Sequence, residues 1–193
     1  MPRAIYLFRN IRTKQVLATT SQSVMAALPL IKTQIADPAL QPKLIRPDHW
    51  TPLVVATGFS SDQAHVDTFT LVTRPGHPLK PKSLRQNREY SLLTRRNKRL
   101  ADMDMVESQI AQLARSFVYM DAVRSKAVPS DPTNPDSAKI RLLWENNDWI
   151  EKVQAAGLHW PQWIEHGKLE LKRGNIITNK ELKSNSPPPT AAT

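Results

Sequence analysis

The chain has 193 residues, enough for one domain with its own core plus extensions, and carries a formal charge of +10. That excess of positive charge points to a polyanionic partner, either nucleic acid or an acidic membrane surface. The absence of cysteine excludes disulfides, thiolate metal sites and cysteine nucleophiles, and fits a reducing compartment.

Taken in chain order, "AIYLFR" (4–9) and "QVLATT" (15–20) predict two short strands joined by a turn around Asn10 to Lys14. Ser21 or Ser23 is placed to cap a helix through "SVMAALPLIKTQI", which Pro29 should kink or divide. Pro38, Pro42 and Pro47 then mark an irregular loop. "TPLVVATGF" (51–59) has the continuous apolar run of a buried strand, and Ser61 with Asp62 starts a helix through "QAHVDTFTLVTR". The order β-β-α-β-α over 1–73 predicts a small sheet covered by helices, an α+β fold. The longest uncharged run, Gln15 to Ile31, is too short and too polar to span a bilayer, so no membrane is expected as partner. Arg3, Arg9, Arg12 and Lys14 precede the first acidic residue, Asp37, which resembles a mitochondrial presequence in composition. The strand alternation of "AIYLFRN" argues instead for folded protein. A presequence would then lie upstream of this numbering, or the import signal is internal.

The charge is concentrated. Residues 74–99 hold Arg74, Lys80, Lys82, Arg85, Arg88, Arg95, Arg96, Lys98 and Arg99 against Glu89 alone, so +8 of the total of +10 lies there. Pro75, Pro78 and Pro81 recur every third position, which favours an extended path without internal hydrogen bonds. Residues 74–101 therefore read as a basic, proline-punctuated arm. It is either a solvated linker or a phosphate-binding segment that orders on nucleic acid. The arginines suit forked contacts to phosphate, and Tyr90 could stack on a base.

The third part, 102–183, is expected to be mainly helical and rich in tryptophan. Asp104 and Glu107 form a D-x-x-E start signal for a helix of about 20 residues, with Val106, Ile110, Leu113, Phe117 and Met120 on one stripe. "PSDPTNPD" (129–136) is a loop, "KIRLLW" (139–144) a short strand, and "NDWIEKVQAAGL" a helix closed by Gly157. Trp144, Trp149, Trp160 and Trp163 read as core or protein interface, with base stacking as the sharper alternative. Residues 184–193 form a disordered tail or an extended strap.

No constellation for catalysis is visible. His49, His65, His77, His159 and His166 show no zinc spacing, and no glycine-rich phosphate loop or nucleophile elbow occurs. Asp102, Asp104 and Glu107 are explained by capping. The opening hairpin is similar to that of GIY-YIG nucleases, with Tyr6 on the first strand. The second strand has Leu17, Ala18 and Thr19 where those enzymes need a tyrosine-glycine pair, and the following helix has no arginine. The expectation is a protein without catalytic residues, metal or cofactor.

"IYLFRN" (5–10), "QVL" (15–17), "LIRPDHW" (44–50), the unit at 51–73, "LLWENNDW" (142–149), "AAGL" (155–158) and "GNI" (174–176) together resemble one family, in the same order. It is that of the fungal mitochondrial large ribosomal subunit protein also described as the mitochondrial homologous recombination protein. The resemblance implies a noncatalytic component of the mitochondrial ribosome in the matrix, contacting ribosomal RNA and neighbouring ribosomal proteins. It also implies, as the alternative, a role on DNA in mitochondrial recombination, maintenance or transcription control, with the nucleus as a second location. On this reading Arg74, Lys80, Lys82, Arg85, Arg88, Tyr90, Arg95, Arg96, Lys98 and Arg99 bind nucleic acid.

Overall fold

The structure, a computed structural model, describes residues 3–35, 37–42, 46–74, 87–126, 139–172 and 175–176. Its centre is a five-stranded sheet in the order β2-β1-β3-β4-β5, formed by β1 (Ala4–Asn10), β2 (Val16–Thr19), β3 (Trp50–Thr57), β4 (Ile140–Trp144) and β5 (Ile164–Lys168). All neighbours are antiparallel except β4 and β5, which run parallel. The fold is α+β, as the alternation of strand and helix signals predicts.

Side-chain alternation along β1 sends Ile5 and Leu7 to one face of the sheet and Tyr6 and Phe8 to the other. On the first face, Ile5, Leu7, Ala56, Leu142 and Trp144 meet three helices: α3 (Asp62–Thr73), α6 (Val106–Lys126) and α7 (Asp148–Ala155). The predicted stripe on α6 is that contact, with Val106, Ile110, Leu113 and Phe117 buried and Met120, at its far end, only partly covered. On the second face, Phe8, Leu17 and Trp50 are covered by α1 (Val24–Ala27), a 3-10 turn (Leu28–Leu30) and α2 (Ile31–Gln34). Pro29 thus divides the predicted helix, and Ser23 caps its first turn by accepting from the Met25 amide. Pro52 fits within β3 because the register shifts beside it. Leu7 pairs with Val54 and Phe8 with Pro52, so Leu53 is the extra residue of a bulge.

Strand β4 lies between β3 and β5, so the tryptophan-rich region shares one sheet and one core with residues 4–73. Arg9 on β1 makes a two-pronged ion pair with Glu145 at the end of β4, both bonds 2.9 Å, across 136 positions of chain. Trp144 is fully buried, and Trp149, Trp160 and Trp163 pack against the same core. Ring contacts between Trp144 and Trp160 and between Phe117 and Trp163 are edge-on. The C-terminal part is helical in α6 and α7 and adds the strands β4 and β5 as well as a small hairpin, β6 (Leu171–Lys172) with β7 (Asn175–Ile176).

The basic segment differs from its expected extended path. Two short helices, α4 (Arg88–Leu92) and α5 (Arg95–Met103), occupy most of its described part. Local chemistry explains this. Asn87 and Thr94 cap the two helices by accepting from the amides of Glu89 and Asn97. The prolines that favour an extended path all precede Asn87, and Arg, Lys, Leu, Ala and Met form helices readily. Burial of Met103 then holds α5 to the body. The segment containing Pro75, Pro78 and Pro81, the loop 129–136 and the tail 184–193 lie outside the described residues.

Candidate nucleic-acid interface

The site is built from the β1–β2 turn. Asn10 is buried, and its side-chain oxygen accepts from the Arg12 and Thr13 amides at 3.0 Å each. Lys14 closes the turn with a φ of 56°, in the left-handed region. Asn at the head of the turn therefore satisfies two backbone donors and leaves Arg12 at the tip, exposed.

Two attachments bring other segments to this turn. The Ile11 amide donates to the His49 carbonyl at 2.8 Å, joining it to the 3-10 turn Pro47–His49 and so to Arg46. The Lys14 carbonyl accepts from the Met105 amide at 3.0 Å, and the Lys14 ammonium lies 3.4 Å from Asp104. These contacts fix the C-terminal end of α5 beside the turn. The result is a cleft of about 340 Å³ lined by Arg12, Arg46, Arg96 and Arg99 together with His49, with Leu100 and Met103 as apolar floor and Gln41 with Pro42 as a further wall. Arg99 also donates to the Ala39 carbonyl at 3.1 Å and borders an adjoining hollow lined by Pro38 to Gln41.

Arginine dominates the electrostatics. Arg46 forms a forked pair with Asp48, at 2.9 and 3.2 Å, and the hydrogen bond from Arg46 holds the Asp48 carboxyl below the usual carboxylate range. Among the described residues no carboxylate pairs with Arg12, Arg96 or Arg99. Several planar, permanently charged forks facing one cleft suit the oxygens of a phosphate backbone.

Of the residues predicted from sequence, Arg96 and Arg99 line the cleft. Arg88 and Arg95 are exposed on α4 and α5 without lining it, and Arg74 caps the end of α3. Lys98 lies over the Tyr90 ring, 5.8 Å from its centre, while the Tyr90 hydroxyl donates to Asp102 at 2.9 Å. Those contacts tie α4 to α5, so the face and edge of Tyr90 serve the protein itself in this conformation. Lys80, Lys82 and Arg85 lie outside the described residues. Local charge density did not single out Arg12, Arg46 and His49: Arg12 lies among Arg9 and Lys14 in a stretch read as a strand and turn, and Arg46 and His49 flank Asp48 in a segment of low net charge. The signal for them was the turn chemistry of "NIRTK" and the proline-bounded "RPDHW", both of which promise exposed loop residues. Among the described residues no group of His, Asp and Glu is arranged to hold a metal ion, and no helix is long and apolar enough to cross a membrane.

Residues 2–87 match the model of the family described as Mhr1: transcriptional regulation of mitochondrial recombination. Over that stretch the chain is similar to the family. The match takes in β1, β2, β3 and α3 and stops just before α4. It therefore contains Arg12, Arg46 and His49, whereas Arg96 and Arg99 come from beyond it. The family description couples mitochondria, recombination and transcriptional control. No curated protein matches the chain.

Proposed function

We propose that the chain is a noncatalytic nucleic-acid-binding protein that serves mitochondrial DNA recombination or the transcription control coupled to it. It grips the phosphate backbone in the basic cleft and needs no cofactor or metal. One observation carries this reading: four arginines from three separated segments line one cleft, beside a match to a family described by mitochondrial recombination. Charge of this kind supplies affinity without breaking a bond. Hydrolysis would also require a positioned nucleophile and stabilisation of the leaving oxygen, for which the sequence offers no motif.

The test is the salt dependence of binding to DNA. If Arg12, Arg96 and Arg99 each meet a phosphate, they contribute a log–log slope of about −2 to −3, depending on strandedness. Arg96→Gln/Arg99→Gln should make the slope shallower by about 1.4 to 1.8 and weaken binding at low salt. An unchanged slope in a folded variant would move the interface elsewhere. The same preparation should leave DNA and RNA uncut with Mg²⁺ or Mn²⁺ present.

A second reading, a component of the mitochondrial large ribosomal subunit bound to rRNA and neighbouring ribosomal proteins, is favoured by the order of short motifs that continues past residue 87 into "LLWENNDW" and "AAGL". Sedimentation of mitochondrial lysate separates the two. A protein that travels with the ribosome and stays with the large subunit when magnesium depletion separates the subunits is ribosomal, whereas one that travels with mitochondrial DNA is not.

A further inference from the structure

We infer that Asp48 is a built-in competitor of phosphate: it occupies the Arg46 fork in the basic cleft and so limits the affinity of the site for nucleic acid. This rests on the reading of the cleft as the nucleic-acid interface. The Asp48 carboxylate takes two hydrogen bonds, from Nε and Nη2 of Arg46, in the forked arrangement that a phosphodiester would use. A phosphate approaching Arg46 must either displace that carboxylate or sit beside its negative charge. Both lower the affinity.

The pair has no evident task in holding the fold. Arg9 and Glu145 join strands 136 positions apart and are partly buried, with side chains 30 % and 23 % exposed. Arg46 and Asp48 are two positions apart, and their side chains are 53 % and 60 % exposed. A pair so local and so wet crosses no tertiary boundary and is weak enough to exchange with an external anion. The turn that carries it is held by other bonds, from the His49 amide to the Arg46 carbonyl and from the Ile11 amide to the His49 carbonyl. Asp48 also remains charged. The Arg46 hydrogen bond, the largest influence on its carboxyl, favours the ionised form. Among the described residues, Arg12, Arg96 and Arg99 have no carboxylate in the same role. Asp48 thus offsets one cation of the cleft, while among the described residues the other three have no carboxylate partner.

The experiment measures binding of a short fluorescein-labelled, mixed-sequence single-stranded DNA by anisotropy across a salt series. The proteins compared are the wild-type full chain, Asp48→Asn, Arg46→Gln, Arg46→Gln/Asp48→Asn and Arg96→Gln/Arg99→Gln, each checked for native circular dichroism. Asp48→Asn should bind about two- to fivefold more tightly at low salt. Its salt slope should be steeper by about 0.7, as one more effective cation requires for single strands. In the Arg46→Gln background the same change should do almost nothing, because the competitor has no fork to occupy. Unchanged or weaker binding by Asp48→Asn overturns the inference. Equal tightening with and without Arg46 also overturns it, since that is a general charge effect. If Arg96→Gln/Arg99→Gln binds like wild type, the cleft reading itself falls and the role of Asp48 with it. If that variant is weakened while Asp48→Asn is unaltered, only the role of Asp48 falls.

Discussion

Gln34 offers a sharp test of how the sheet edge is closed. Strand β2 is an edge strand, and Ala18 at its middle is fully buried. Its outward amide and carbonyl are both met by one side chain. The Ala18 amide donates to Gln34 Oε1 at 2.8 Å, and Gln34 Nε2 donates to the Ala18 carbonyl at 2.7 Å. A primary amide on α2 thus stands in for the missing neighbouring strand. Gln34→Met keeps most of the volume and removes both bonds, leaving two buried backbone groups unpaired. Each such loss costs about 1–3 kcal/mol, and water reaching the edge should hold the sum near 2–3 kcal/mol. With a urea dependence of about 2 kcal/mol per molar, the unfolding midpoint should fall by about 1–1.5 M without a change in slope. Gln34→Glu adds a sign test. The ionised carboxylate faces the Ala18 carbonyl oxygen, whereas the protonated acid can donate to it as the amide does. The folded state therefore raises that carboxyl above its ordinary value of about 4.3. Relative to wild type, Gln34→Glu should be destabilised at neutral pH and should recover as pH falls through the raised value, with recovery complete below the ordinary one. A Gln34→Met midpoint equal to wild type, or a neutral-pH Gln34→Glu as stable as wild type, would refute the reasoning and mean that water satisfies Ala18.

Three further outcomes are expected. Gly58 has a φ of +88°, and a Cβ there would lie 2.6 Å from the Lys139 carbonyl oxygen, so Gly58→Ala should cost about 2 kcal/mol or more in chemical denaturation. His166 accepts from the Trp144 indole at 3.0 Å, and burial pushes its imidazole below the usual value near 6.5. The unfolded chain then binds more protons just below that value, so the melting temperature should drop as pH falls from about 6.5 toward the lower folded value and level off beneath it. His166→Phe should abolish that step while lowering stability throughout, because it leaves the Trp144 indole N–H unpaired. Tyr90→Phe removes the hydroxyl bonded to Asp102 and should loosen α4 against α5 by about 1 kcal/mol, read as faster amide exchange at 88–92 with the remaining helices unchanged.

The elements that local chemistry defines were legible in the residues themselves. Ser23 and Ser61 cap the helices they were expected to cap, Pro29 breaks its helix, and the stripe from Val106 to Phe117 is buried. Capping, proline geometry and apolar periodicity act over a few positions, so a linear reading captures them. The same reading misjudged 88–101. It weighed repulsion among arginines and the upstream prolines above two good caps and a buried Met103.

Strand order and the cleft belong to another class of information. Nothing near "KIRLLW" says that it will lie beside "TPLVVATGF", because that pairing is decided by which buried faces complete one core across more than eighty residues. The candidate site follows the same logic. Local charge density identified Arg96 and Arg99, since a run of cations is visible in any window. Arg12, Arg46 and His49 joined them only through backbone bonds between a β-turn, a 3-10 turn and the end of α5. By itself the sequence determined that this protein carries a concentrated positive charge on an α+β body. Tertiary structure decided which of those charges face one another, because electrostatic cooperation depends on distance in space, and folding sets that distance independently of separation along the chain.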